Sequence, residues 1–161
     1  MKNQSLGVFL YPDNYSPAEL SDFAQRIESL GYDALWYPEA MVYESFTLGT
    51  YLLGQTSKLT IASGIANTYG RDAMGTLQAS QGIEAMYPGR YITGLGVSHQ
   101  SIVTDIRGHE YGKPMGVMTA YLDEMDRCRE FLNGKDTPVV IGALGPKMMQ
   151  LGAEPVSYTH L

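Results

Sequence analysis

Residues 61–99 constrain the fold of this 161-residue chain more than any other stretch. IASGIANTYGRDAMGTLQASQGIEAMYPGRYITGLGVSH reads as strand, irregular turn, helix, Pro-Gly punctuation and strand again. That is one βαβ unit, and a helical crossover of this length joins parallel strands. In parallel α/β sheets ligands sit at the carboxyl ends of the strands. The Gly-Ile-Ala-Asn element, placed where the first of these strands ends, therefore marks a candidate site.

The same rhythm runs through the rest of the chain. Residues 5–10 (SLGVFL) are an apolar first strand suited to a sheet covered by helices. Ser16, Pro17 and Glu19 then stand as N-cap, first and third helical positions. Leu20, Phe23, Ala24, Ile27 and Leu30 follow at spacings of three and four, and Gly31 ends the helix in a left-handed cap. A second strand spans 33–37, a helix 46–55, a third strand 59–63, a helix 72–86 and a fourth strand 91–95. Residues 98–112 are polar and aperiodic, which predicts a long functional loop. Met118, Tyr121, Leu122, Met125, Cys128 and Leu132 form a further helical stripe. A fifth strand at 138–142 and a helix beginning at Pro146 complete the pattern. About five units of about thirty residues each are the rhythm of a (βα) barrel, which closes only with eight units and roughly 250 residues. The expectation is an α/β, TIM-type (β/α)8-barrel fold that stops incomplete, spanning 1–153, with 154–161 (EPVSYTHL) as a tail outside the pattern. Such an open sheet is expected to be unstable and inactive by itself.

Composition narrows the function classes. Apolar residues make up 44% of the chain, as in ordinary globular proteins, and the formal charge of −6 disfavours nucleic acid and anionic lipid as partners. No stretch has membrane-spanning length and no signal segment is evident, so the expected location is cytoplasmic. The single cysteine, Cys128, excludes an internal disulfide and a cysteine-based zinc cluster, and no metal ligand set is expected.

Several residues could carry chemistry. Gly64 and Ile65 lie at the end of the third strand, and Asn67 can offer both a donor and an acceptor from the same turn. Gly142, Ala143, Leu144, Gly145, Pro146 and Lys147 place a Gly-rich turn before a helix N-terminus, an arrangement that binds phosphate. Taken alone, the same turn also reads as an ordinary βα loop. Glu39 follows the second strand, and His99, beside Ser98, follows the fourth. Arg71 reads equally well as packing on the ligand loop or as a salt-bridge partner. His109 and Cys128 read as structural. An aldolase or isomerase would want a strand-end lysine or a carboxylate pair, which Lys58 and the solitary Glu39 do not supply.

Taken in order, LGVFLY, ESLGYDALWYPE, IASGIANTYGRDAMGTLQ, YPGRYITGLGVSH, YGKPMGVMTAYLDEMD and PVVIGALGPKMMQLGAE resemble the bacterial luciferase-like superfamily. The resemblance is nearest to the branch that uses the deazaflavin coenzyme F-420, and it covers what looks like the N-terminal half of a member. It implies a TIM barrel whose cofactor ring rests on a bulge after the third strand, with a non-prolyl cis peptide at Gly64–Ile65. It also implies that Gly64, Ile65 and Asn67 meet the ring and that Ala143, Leu144 and Gly145 hold the cofactor phosphate. Glu39 matches an acidic position near the ring, but Ala40 stands where members often carry His, leaving His99 and Glu39 as the catalytic candidates. The implied activity is hydride transfer between F-420 and a small organic substrate. An FMN-dependent monooxygenase is the alternative, and an inactive barrel fragment is the alternative of another class. Family members also lead one to expect a homodimer at full length.

Overall fold

Apolar strand segments separated by amphipathic helices supply the crossovers that parallel pairing requires. The computed structural model, which describes residues 6–153 and 158–160, has that arrangement. Strands β1 (Gly7–Phe9), β2 (Ala34–Tyr37), β3 (Thr60–Ser63), β4 (Ala66–Asn67), β5 (Tyr91–Gly96), β6 (Val139–Ile141) and β7 (Tyr158–His160) form one sheet. Their order is β1-β2-β3-β5-β6-β7, with β4 joining β5 beyond the end of β3, and every pairing is parallel.

The crossovers are α1 (Pro17–Ser29), α2 (Ser45–Gln55), α3 (Ala73–Met86), α4 (Pro114–Arg129) and α5 (Pro146–Ala153). Each helix packs on the next, α1 on α2 through to α4 on α5. All five therefore lie on one side of the sheet, as a barrel wall requires, whereas a doubly wound sheet divides its helices between two faces. The core fills the space between them, with Leu35, Tyr37, Ile61, Tyr91 and Leu95 of the strands buried against Leu20, Leu52, Leu53, Leu77 and Met118. The opposite sheet face is more open, and Phe9 there is 62% exposed.

Local signals work as the residue types demand. The Ser16 hydroxyl accepts from the Glu19 amide at 3.3 Å while the Glu19 carboxylate accepts from the Ser16 amide at 2.8 Å, which satisfies two orphan donors of α1. Gly31 takes φ +84° immediately after that helix. Cys128 is buried on the inner stripe of α4.

Three features differ from the sequence expectation. The third strand is followed by a separate two-residue strand, β4, because the chain bulges between them. The loop at 98–112 contains a π-helical turn, Ile102–Ile106, whose Val103 is fully buried. The backbone of Tyr158–His160 pairs in register with Val139–Ile141, so part of the expected tail extends the sheet. Ser5, as the start of the first strand, and residues 154–157 and 161 of that tail lie outside the described residues.

One pair of buried phenols gives a measurable signature. Tyr37 donates to the Ser45 carbonyl at 2.6 Å and lies 3.4 Å from the Tyr91 hydroxyl. Burial pushes Tyr37 well above the usual phenol value and moves Tyr91 up to about 12. Both folded-state values lie above the unfolded one, so the linked stability is complete below pH 10 and is lost as pH rises towards 12. Spectrophotometric titration should find these two among the last of the twelve tyrosines to ionise, with unfolding accompanying their ionisation. Complete, unfolding-free ionisation near pH 10 would contradict the burial of this pair.

Candidate functional site

The site begins with a register slip. Ala62 pairs with Ile92 and Ala66 with Leu95, so four steps along one strand oppose three along the other. One extra residue must bulge out, and Gly64–Ile65 occupies that place with a cis peptide bond, as the family resemblance implied. Ser63 repairs the interrupted ladder, its hydroxyl accepting from the Gly94 amide at 2.8 Å and donating to the Gly94 carbonyl at 2.9 Å. The bulge is also tied to β2: the Gly64 amide donates to the Tyr37 carbonyl at 2.7 Å and the Glu39 amide to the Ile65 carbonyl at 3.0 Å.

Above the bulge lies a cleft of about 830 Å³ at the carboxyl ends of the strands. Three glycines, Gly64 after β3, Gly96 at the end of β5 and Gly142 after β6, line its floor, and the last two make room for the Ile65 side chain. A Cβ at Gly142 would come within 3.2 Å of Ile65, and one at Gly96 within 2.5 Å. The lining brings together Glu39, Gly64, Ile65, His99, Gly142, Ala143 and Leu144 of the sequence candidates. Asn67 and Gly145 are not part of it. Asn67 is buried, and its side-chain oxygen accepts from the Tyr69 amide at 2.9 Å, shaping the turn after β4. His99 is exposed on the cleft wall, with its carbonyl accepting from Val103 at the entry to the π-turn. Leu144 is almost wholly exposed on the turn before α5.

Glu39 is held rather than free. Its carboxylate, 5% exposed, takes Arg71 at 2.6 Å, Arg107 at 3.4 Å and the Asn67 amide at 3.2 Å. Arg71 also pairs with Glu44 at 2.7 Å and lies 5.1 Å from the centre of the Phe46 ring. Glu44 in turn caps α2, accepting from the amides of Phe46 and Thr47. Burial by itself raises the Glu44 carboxyl, but hydrogen bonds from Thr47 and Phe46 and the charge of Arg71 outweigh it and hold the group below its ordinary value. This support is therefore present above the ordinary carboxylate range and is lost as pH falls through the lowered folded-state value.

Sequence reasoning did not find Glu44, Arg107 or Tyr69. Glu44 had a local signal, an acceptor side chain just ahead of an apolar helix. Arg107 and Tyr69 had none. Tyr69 accepts from the Gly112 amide at 3.0 Å and stacks on Tyr111, whose hydroxyl donates to the Ser98 carbonyl at 3.2 Å. Together with Arg107 these contacts fasten both ends of the 98–112 segment, and Ser98 sits at φ +59° where that segment leaves β5. Among the described residues no group of three His, Cys, Asp or Glu side chains could hold a metal ion, and no helix is long and apolar enough to cross a membrane.

The family profile described as luciferase-like monooxygenase matches residues 5–160. A 5,10-methylenetetrahydromethanopterin reductase of Methanolobus tindarius is 26% identical over 84% of this chain and 47% of its own length. An F-420-dependent secondary alcohol dehydrogenase, solved with an F-420–acetone adduct, superposes with a TM-score of 0.79 at 18% identity, over 94% of this chain and 55% of that one. The oxygenating constituent of 3,6-diketocamphane monooxygenase from Pseudomonas putida, a type II Baeyer–Villiger enzyme solved with FMN, superposes with a TM-score of 0.75 at 14% identity, over 92% of this chain and 55% of that one. The two superpositions establish a shared fold, of which this chain carries an incomplete barrel. It spans about half the length of the relatives it matches.

Proposed function

This chain belongs to the luciferase-like monooxygenase family, and from that footing we propose that it contributes the coenzyme F-420 site of an oxidoreductase acting on a small organic substrate. The observation that carries the reading is the Gly64–Ile65 bulge on the cleft floor, where Gly96 and Gly142 make room for the Ile65 side chain and so keep the floor shallow enough for a flat ring. The residues fit the group. Gly64 and Ile65 would back the ring, while Asn67, from beneath, keeps the bulge in shape.

The turn of Ala143, Leu144 and Gly145 leads into α5, where the first-turn amides have no intrahelical acceptor and the helix dipole is positive. That turn would hold a ribityl phosphate. When bound, the coenzyme supplies hydride chemistry. His99 would hold or deliver a proton at its imidazole from the cleft wall. Glu39 is a positioning residue, since its oxygens are committed to two guanidinium groups and an amide. FMN with oxygen is the second reading, favoured by the superposition on an FMN enzyme.

The test is a titration of the full-length protein with F-420, with F-420 lacking its phosphate, and with FMN. F-420 should bind about tenfold or more tightly than the dephosphorylated form, the loss expected when charge-assisted hydrogen bonds go. Equal affinities would remove the phosphate role from residues 143–145, and preference for FMN would select the second reading.

A further inference from the structure

We infer that Phe9, Tyr11 and Trp36 form the substrate lobe of the cleft and select an uncharged compound carrying a flat apolar group. This rests on the cofactor reading, because that reading decides which part of the cleft is left over. The sheet order places β1 and β2 on one side of the bulge and β5 and β6 on the other. A cofactor anchored at 143–145, after β6, and lying on Gly64–Ile65 leaves the β1–β2 end open. Phe9 and Trp36 stand there in register with each other, and Tyr11 follows β1 on the same rim.

The indole of Trp36 spans two glycines. A Cβ at Gly7 would lie 3.2 Å from its Cδ1 and Nε1, and a Cβ at Gly64 would lie 3.5 Å from its Cε3 and 3.4 Å from Phe9. The two glycines thus make room for the indole, and Trp36 together with the exposed Phe9 lines the cleft with aromatic surface suited to stacking. Charge points the same way. No Lys or Arg among the described residues lines the cleft, and its carboxylate, Glu39, is neutralised by Arg71 and Arg107. An anionic substrate entering this lobe would give up water without meeting a lysine or an arginine, and His99 stands on the opposite, β5 side of the bulge.

Trp36 is the single tryptophan of this chain, so the emission that Trp36→Phe removes from the full-length protein is its own and reports occupancy of the lobe. The full-length protein, saturated with F-420, is titrated with acetophenone and with benzoate, probes alike in ring and size but different in charge. Acetophenone should bind about tenfold more tightly. Phe9→Ala and Tyr11→Ala, both at exposed positions and so compatible with folding, should each weaken acetophenone several-fold while F-420 affinity, read from its own visible absorbance, is unchanged. Ala40→Lys, which brings a cation to the lining, should shift the preference towards benzoate. Equal or reversed affinity in the parent protein, or displacement of acetophenone by F-420, would overturn the assignment. Failure of F-420 to bind at all overturns the cofactor reading alone and is seen directly in its absorbance.

Discussion

Replacing Gly94 with alanine should cost about 3 kcal/mol or more of folding stability, the upper end of what overpacking a core costs. The added Cβ would fall 1.9 Å from the Ser63 carbonyl oxygen, and backbone cannot swing aside as a side-chain tip can. Relief would require parting β3 from β5 at the point where the Ser63 hydroxyl bridges both polar groups of Gly94. In thermal unfolding of the full-length protein the midpoint should drop by about 5 °C, or the variant should be insoluble. Gly82→Ala is the control. Nothing lies within 4 Å of that position in α3, so alanine there should stabilise by about 0.5–1 kcal/mol through helix propensity. If Gly94→Ala were neutral, the close approach of the two strands at the bulge would be wrong.

Arg71→Leu should be nearly as damaging, about 3 kcal/mol, because it leaves two carboxylates facing one another beside the cleft. Glu39 is 5% exposed and would keep only the 3.4 Å contact with Arg107 and one amide, while Glu44 would lose its single ion-pair partner among the described residues. Glu39→Gln combined with Arg71→Leu should recover part of the loss, since the uncompensated charge is then removed. Urea unfolding of the two single variants and the double variant measures the coupling, expected at about 1–3 kcal/mol. Strict additivity would show that the pair does not act as a unit. Arg71→Lys should also fall short of the parent, because one ammonium cannot reach two carboxylates and the Asn67 carbonyl in the plane that a guanidinium spans.

Much of the geometry of the candidate site was legible before folding, though by different routes. The glycine turn at 142–145 and the interrupted strand at 63–65 announce themselves by local composition. The cis peptide was legible only through the family resemblance, as nothing in a Gly-Ile pair demands it. His99 and Glu39 were found as strand-end residues, and the cleft holds both, yet the state of Glu39 was not readable. A carboxylate after a strand looks the same in sequence whether it faces a ligand or two arginines.

What the sequence by itself determined is what depends on near neighbours. The Ser16–Glu19 capping box, the Gly31 stop, the apolar stripes and the parallel strand order all follow from spacings of a few residues and from crossover length. Tertiary structure alone decided the pairing of Glu39 with Arg71, 32 residues away, and with Arg107, 68 residues away, and the clasp of Tyr69 on Gly112 across 43 residues. The physical reason is that side chains so far apart along the chain meet only after helices have stacked on one sheet face and brought the strand ends together. Their interaction depends on that three-dimensional arrangement, and no periodicity in the chain encodes which long-range partners will be within reach.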